Sequence, residues 1–178
     1  MTTYITKDNQ KFSIRIPNET DAANIISYAK EMFASTDQVL TTLEEYTISV
    51  EEEKAWINNH LNDPNSILLI AELDNKVIGL LDFSAKSKKK IAHIGELGIS
   101  VHPSYQGIGI GQKITESFLE WAIKNDQVEK VFLNVFATNE RAINLYKKLG
   151  FVEEGRHIKA IKQLNGEYVD LIQMYIET

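Results

Sequence analysis

The stretch ELGISVHPSYQGIGIGQK, Glu96 to Lys113, constrains the fold of this chain more than any other. Leu97, Ile99 and Val101 alternate with Gly98, Ser100 and His102, the period-two pattern of a strand buried on at least one face. Pro103 has no N–H and ends that ladder. Gly107, Gly109 and Gly111 follow at two-residue spacing, where the missing Cβ lets backbone come close to a ligand. Ile114, Phe118, Trp121 and Ala122 then recur at helical spacing. A glycine loop feeding a helix start presents free N–H groups and a positive dipole end to an anion, most often a phosphate.

Spacing separates the phosphate loops that fit such a stretch. A P-loop requires G-x-x-x-x-G-K-[ST], but Gly111 is followed by Gln112, and Ile114 stands where a magnesium-binding Ser or Thr belongs. A dinucleotide fingerprint requires G-x-G-x-x-G, whereas this loop is G-x-G-x-G and its strand lies mid-chain. There remains Q-x-x-G-x-G, from Gln106 through Gly109 to Gly111, with an ordinary glycine-rich connection as the bland alternative.

The chain has 178 residues, enough for one domain with a substantial core. Its lack of cysteine excludes disulfides, Cys-ligated zinc and a thiol nucleophile. The four histidines (60, 93, 102 and 157) show no metal spacing, and no metal is expected; His60 reads as a helix-surface residue, His93 and His102 as strand-edge residues. A net charge of −6 argues against a nucleic-acid binder. The basic run Lys86 to Lys90 reads as a solvated hairpin tip. MTTYITKDNQKF lacks the apolar core of a signal peptide, and no run approaches about 18 apolar residues. No membrane association and a cytoplasmic location are expected.

The remaining elements follow in order. Phe12, Ile14 and Ile16 suggest a strand stopped by Pro17; Thr20 and Asp21 offer caps for a helix through Phe33. Residues 34–50 read as a loop or broken helix. Ser49 caps a helix from Glu51 to Leu61, with three glutamates in its first turn. Ile67 to Leu73 and Lys76 to Ser84 read as strands joined at Asp74-Asn75. After the central stretch, whose helix should reach about Asn125, come a strand from Lys130 to Phe136 and a helix from Asn139 to Leu149 stopped by Gly150. A hairpin across Asn165-Gly166 joins Phe151 to Ile161 with Tyr168 to Glu177. The order β-α-α-β-β-β-α-β-α-β-β indicates one mixed α/β domain over residues 1–178.

The loop at Gln106 to Gly111, after a strand ending in Val-x-Pro, resembles the acyl-CoA pyrophosphate loop of the GNAT superfamily of N-acetyltransferases. NERAINLYKKLGF resembles that family's N-x-x-A-x-x-L-Y-x-x-x-G-F pattern at Asn139, Ala142, Leu145, Tyr146, Gly150 and Phe151. GFVEEGR followed by NGEYVDLIQM looks like the branch with ribosomal-protein N-terminal and polyamine acetyltransferases. The resemblance implies a mixed, mostly antiparallel sheet flanked by helices, splayed between its fourth and fifth strands, here residues 91–101 and 130–136. It also implies a bulge in the fourth strand, for which Gly98 is a good place. Pantetheine would lie along Ile99, Ser100 and Val101, and the pyrophosphate on N–H groups of Gln106, Gly107, Ile108, Gly109, Ile110, Gly111 and Gln112. Asn139 and Ala142 complete the cofactor site with Tyr146; a helix N-cap is an equally physical reading of Asn139.

Acetyl transfer needs a neutral amine, a polarised thioester and an acid for the thiolate. An alkyl amine of pKa near 10.4 is neutral in about one molecule per thousand at neutral pH, a cost of roughly 4 kcal/mol, against about 1 kcal/mol for an α-amino group. Related enzymes place a glutamate where Glu96 stands, which makes Glu96 the candidate base, with an ion-paired strand glutamate as its bland alternative; Asp82 is the second choice. Tyr146 is the candidate acid for the CoA sulfur, or else a core tyrosine. Backbone N–H near Ile99 would hold the oxyanion. On the acceptor side, Phe33, Glu44, Glu45 and Tyr46 suggest an acidic aromatic pocket or plain surface.

The expected function is direct transfer of acetyl from acetyl-CoA, the co-substrate, to a small-molecule amine such as a polyamine or amino acid, or to a peptide N-terminus. An acyl-CoA-binding sensor or structural module without transferase activity is the alternative, and it would have no use for Glu96 or Tyr146. Dimerisation is common in the family, so a homodimer is among the expected states.

Overall fold

The computed structural model describes residues 2–178. Eight strands form one sheet: β1 (Thr2–Ile5), β2 (Lys11–Arg15), β3 (Ser66–Leu73), β4 (Lys76–Ala85), β5 (Ile94–Val101), β6 (Lys130–Phe136), β7 (Val152–Lys162) and β8 (Tyr168–Glu177). Their spatial order is β1-β2-β3-β4-β5-β6-β8-β7, and every neighbouring pair is antiparallel except β5 and β6. Four helices cover it: α1 (Ala22–Ser35), α2 (Val50–Asn62), α3 (Ile110–Ala122) and α4 (Glu140–Lys148).

The continuous apolar run of β3 reflects burial on both faces. Leu68 and Ile70 pack under α1 and α2 with Ala22, Ile25, Tyr28, Met32 and Ile57. Leu69 and Ala71 point the other way, into a larger core with Leu81, Phe83, Leu97 and the α3 residues Ile110, Ile114 and Phe118. Phe83 and Phe118 are both 0% exposed with ring centroids 5.1 Å apart; burial of each stabilises by roughly 2–3 kcal/mol.

Local signals explain the boundaries. Asp74 and Asn75 both take positive φ, 49° and 62°, as a two-residue hairpin requires. Ser49 caps α2 in a capping box with Glu52. Gly150, at φ 97°, follows the end of α4. Asn18, rather than Thr20 or Asp21, supplies the cap ahead of α1: it accepts from the Thr20 N–H and opens a short 3-10 turn at Glu19–Asp21. Asp21 makes no capping hydrogen bond to α1 and is bound by Arg15 instead.

The sheet opens where the family resemblance placed the split. β5 and β6 are the fourth and fifth strands of the sequence reading, renumbered because β1 was not anticipated. They pair only at Ile94–Lys130, Gly95–Val131 and Glu96–Phe132, then diverge. The expected bulge at Gly98 is absent: the β4–β5 register runs without a slip from Gly79–Val101 to Ala85–Gly95. The opening thus arises from divergence of β6, not from an extra residue in β5.

Candidate functional site at the split in the sheet

The divergence leaves the β6 side of residues 97–101 without a sheet partner, and two cavities occupy the gap. The smaller, about 280 Å³, runs along β5 and over the glycine loop. It is lined by Ile99, Ser100, Val101, Gln106, Gly107, Gly109, Gly111, Gln112, Asn139, Ala142 and Tyr146, eleven residues that the sequence singled out. Ile108 and Ile110 are absent from the lining. Ile110 is 1% exposed in the core beneath α3, and the Ile108 carbonyl accepts from the Lys7 N–H at 3.0 Å. That bond ties the loop to the β1–β2 turn, whose Lys7 also lines the cavity.

Backbone conformation accounts for the loop's glycines. Gly107 and Gly109 have φ of 83° and 103°, and a Cβ at either would meet nothing within 4 Å; what they supply is a left-handed backbone. Gly109 occupies the N-cap position of α3 and offers no side chain to the first-turn N–H groups. The loop's rim carries cations: Arg141 donates to Gln106 Oε1 at 2.8 Å and Lys148 to Gln112 Oε1 at 3.0 Å. Free N–H groups, a helix start and nearby cations together suit a phosphorylated ligand.

The larger cavity, about 500 Å³, lies toward the paired end of β5 and is lined among others by Asp82, Ser84, Lys86, Glu96, Gly98, Asn134 and Leu40. Its donors are largely committed. Glu96, 47% exposed, accepts from Lys86 Nζ at 3.1 Å on one oxygen and from Asn134 Nδ2 at 3.1 Å on the other. Burial, opposed by nearby His60 and reinforced by the negative charge of Glu96, pushes the Asp82 carboxyl above its ordinary value.

Gln38, Val39, Ile99, Asn139 and Tyr146 line both cavities, so the two meet there. Tyr146, on α4, is 6% exposed and packs its ring 5.7 Å from that of Phe151. Burial alone pushes its phenol well above the usual tyrosine range. No side-chain oxygen sealed from solvent lacks a partner among the described residues, and no group bonds this hydroxyl, so it must open on the cavities. Asn139 accepts from the Ala142 N–H at 3.2 Å as the cap of α4, and it lines the cavities as well.

Several residues fall elsewhere than expected. His60 is not on the surface: it is 8% exposed, with Nδ1 3.0 Å from the Trp56 carbonyl oxygen and Nε2 3.2 Å from Ser84 Oγ. Phe33, Glu44, Glu45 and Tyr46 line neither cavity. The rings of Phe33 and Tyr46 pack tilted against each other with centroids 4.9 Å apart, and Glu45 accepts from the Thr42 N–H. The segment after α1 instead supplies Gln38, Val39 and Leu40, held by Thr138 Oγ donating to Gln38 Oε1 and by Gln163 Nε2 donating to the Asp37 carbonyl. These contacts span 100 and 126 residues, which is why no local pattern announces them. No group of metal-ligating residues and no helix long and apolar enough to cross a membrane occurs among the described residues.

The model of the Acetyltransferase (GNAT) family matches residues 30–151. An L-amino acid N-acetyltransferase, AaaT, from Escherichia coli (strain K12) is 30% identical over 119 residues, 67% of this chain and 73% of that protein. A spermidine N(1)-acetyltransferase from Vibrio cholerae is 29% identical over 129 residues, 72% and 73% of the two chains. The crystal structure of a GNAT-family acetyltransferase from Streptococcus pneumoniae superposes with a TM-score of 0.91 at 28% identity, covering 94% of this chain and 99% of that one.

Proposed function

This chain belongs to the acetyltransferase (GNAT) family and is, on that ground, an acetyl-CoA-dependent N-acetyltransferase, and we propose that it acetylates a primary amine held in the larger cavity by direct transfer from acetyl-CoA held in the smaller. The observation that carries this reading is that Tyr146 opens on both cavities where they meet. A donor and an acceptor filling them would touch at that hydroxyl.

In this reading the diphosphate rests on the N–H groups from Gly107 to Gln112, the Gln106 N–H being held by the Pro103 carbonyl, and pantetheine pairs with the free side of Ile99, Ser100 and Val101. The acceptor arrives as an ammonium and loses one proton to a cavity carboxylate, Glu96 or Asp82. Its nitrogen then attacks the thioester carbonyl, whose developing oxyanion is met by backbone N–H near Ile99. On collapse the C–S bond breaks, Tyr146 gives its proton to sulfur, and the second nitrogen proton restores the phenol. The products are the amide, CoA thiol and one released proton. Burial raises the proton affinity of a thiolate as well as of a phenol, so Tyr146 remains matched to its task in the closed site.

Two carboxylates and one lysine line the acceptor cavity, and that lysine is bound to Glu96. This charge balance favours a polyamine or other cationic acceptor, as spermidine is for the Vibrio relative, over one with a carboxylate beside the amine. Amino acids and peptide N-termini remain in the acceptor class because of their small cost of deprotonation. Acetyl-CoA as donor keeps the cytoplasm as the proposed compartment. The test is thiol release from acetyl-CoA with spermidine, L-amino acids and short peptides in parallel. Release with spermidine above the others is expected; tight acetyl-CoA binding with no release from any amine would overturn the reading.

A further inference from the structure

The hydrogen-bond donors around the larger cavity are distributed unevenly between its two carboxylates. Lys86 and Asn134 each donate to Glu96, one to each oxygen. Ser84 stands on β4 opposite Glu96 and two positions from Asp82, and its single proton has another destination. His60 Nδ1 stands 3.0 Å from the Trp56 carbonyl, which can only accept, so Nδ1 carries the ring proton. In the neutral ring Nε2 is therefore the acceptor, and the Ser84 hydroxyl, 3.2 Å away, donates to it. Among the described residues, Asp82 is thus the one carboxylate of the cavity that no side chain hydrogen-bonds.

Its location is equally particular. In register Asp82 faces Gly98, the second residue beyond the last β5–β6 pair at Glu96, so it stands at the mouth of the split. Glu96 still faces Phe132 inside the closed ladder. The Asp82 carboxylate lies so close over Gly98 that a Cβ there would stand 2.5 Å from Oδ1 and 3.2 Å from Cγ. Gly98 therefore admits the carboxylate to the point where β5 is released and Ile99 begins its free edge.

We infer that Asp82, and not Glu96, removes the proton from the acceptor ammonium, while the Trp56–His60–Ser84 chain commits the Ser84 hydroxyl proton to His60. This rests on the acetyl-transfer reading above. The N–H bond of the ammonium breaks, its electron pair stays on nitrogen as the nucleophile, and the carboxylate becomes a carboxylic acid. That acid returns its proton to water through the open cavity before the next turnover. Burial, opposed by its own N–H but by no side-chain donor, favours the protonated form of Asp82, which is what a base for an alkyl ammonium needs. The titratable groups facing Asp82 are Glu96 from β5, whose charge opposes its ionised form, and His60 from α2, which favours that form only when protonated, a state in which Nε2 no longer accepts from Ser84; Leu68 is its partner on β3, and Lys86 is held by Glu96. Glu96, in turn, remains a fixed charge on the wall that attracts the cationic acceptor.

Two measurements test this. Carboxyl-carbon NMR of the whole chain, assigned by loss of one resonance in Asp82→Asn, should show Asp82 titrating above an ordinary aspartate; titration at or below the ordinary value would overturn the inference. This needs no turnover, so it can be read even if wild-type protein acetylates nothing, the result that defeats the functional reading instead. In thiol release with spermidine, Asp82→Asn should lower kcat/KM about 100-fold at pH 7, with the deficit shrinking below about tenfold near pH 10, where the ammonium loses its proton unaided. Acetyl-CoA affinity by calorimetry should stay within about twofold. Glu96→Gln should raise the KM for spermidine and keep the wild-type pH profile. Activity of Asp82→Asn within about threefold of wild type, or a deficit that does not change with pH, would overturn the assignment.

Discussion

The Tyr28 hydroxyl donates to Ser100 Oγ at 2.9 Å, joining the buried side of α1 to the unpaired half of β5 across 72 residues of chain. Tyr28 is 4% exposed, and burial pushes its phenol far above the usual range, so the donor is present at every working pH. Tyr28→Phe should cost about 1 kcal/mol in urea unfolding, and Ser100→Ala a similar amount. The double variant should lose clearly less than the sum, because both changes delete one bond. Full additivity would mean that the bond does not couple α1 to β5.

Tyr146→Phe removes only the hydroxyl and keeps the ring against Phe151. We expect kcat to fall about 100-fold with the KM for acetyl-CoA within about twofold. The loss should be the same at pH 7 and pH 9.5, because burial keeps the phenol protonated through the interval in which an exposed tyrosine begins to ionise. Undiminished turnover at both pH values would remove Tyr146 from the role of acid.

At Gly109, with φ 103° and open space around a would-be Cβ, Gly109→Ala should act through backbone strain alone. A stability loss of about 1–2 kcal/mol is expected. Calorimetry should show acetyl-CoA binding weakened about tenfold as the first-turn N–H groups of α3 turn away. Gly109→Asn, which tolerates the left-handed region better, should recover part of both losses. Equal effects of the two substitutions would point to side-chain bulk instead.

Arg15 bridges Asp21, through two bonds of 2.8 Å, and Glu72, fastening the turn before α1 to β2 and β3. The guanidinium holds the Asp21 carboxyl below its ordinary value. A carboxyl depressed in the folded state stabilises fully above its unfolded pKa, about 3.9, and this contribution is lost as pH falls through the lower folded value. Asp21→Asn should therefore cost about 2 kcal/mol at pH 7. Its difference from wild type should narrow only below about pH 4 in a series of urea titrations.

How far the sequence revealed this site depends on how local each determinant is. The glycine loop and α4 were legible because their signals lie within a few residues: positive φ at Gly107 and Gly109, the Asn139 cap, and the glycine after α4. The Asp74-Asn75 turn was legible for the same reason. The strand β1 was not, since four residues, TTYI, carry little pattern and find their place through pairing with β2 and a turn with Asn9 at φ 66°. His60 read as a surface residue because α2 is polar over most of its length; what buries it is Trp56 one turn back and Ser84 on another element. Gly98 was noticed, but for a bulge. Its actual significance, room for a carboxylate from β4, depends on the register between two strands and cannot be seen in either alone.

The three-residue ladder between β5 and β6 has a mechanical consequence. Only three residue pairs join β5 to β6, as few as join β2 to β3, so β6, β8 and β7 meet the rest of the sheet along a short seam. In the proposed site, a co-substrate laid along residues 99–101 would serve as the missing thread and would be expelled as a different molecule once its acetyl group had gone. Each turnover would then include a mending and a reopening of the sheet. Amide exchange along β5 and β6 should slow while acetyl-CoA is bound, and the chain should melt higher, by about 2.7 kcal/mol of added stability at a hundredfold excess over Kd.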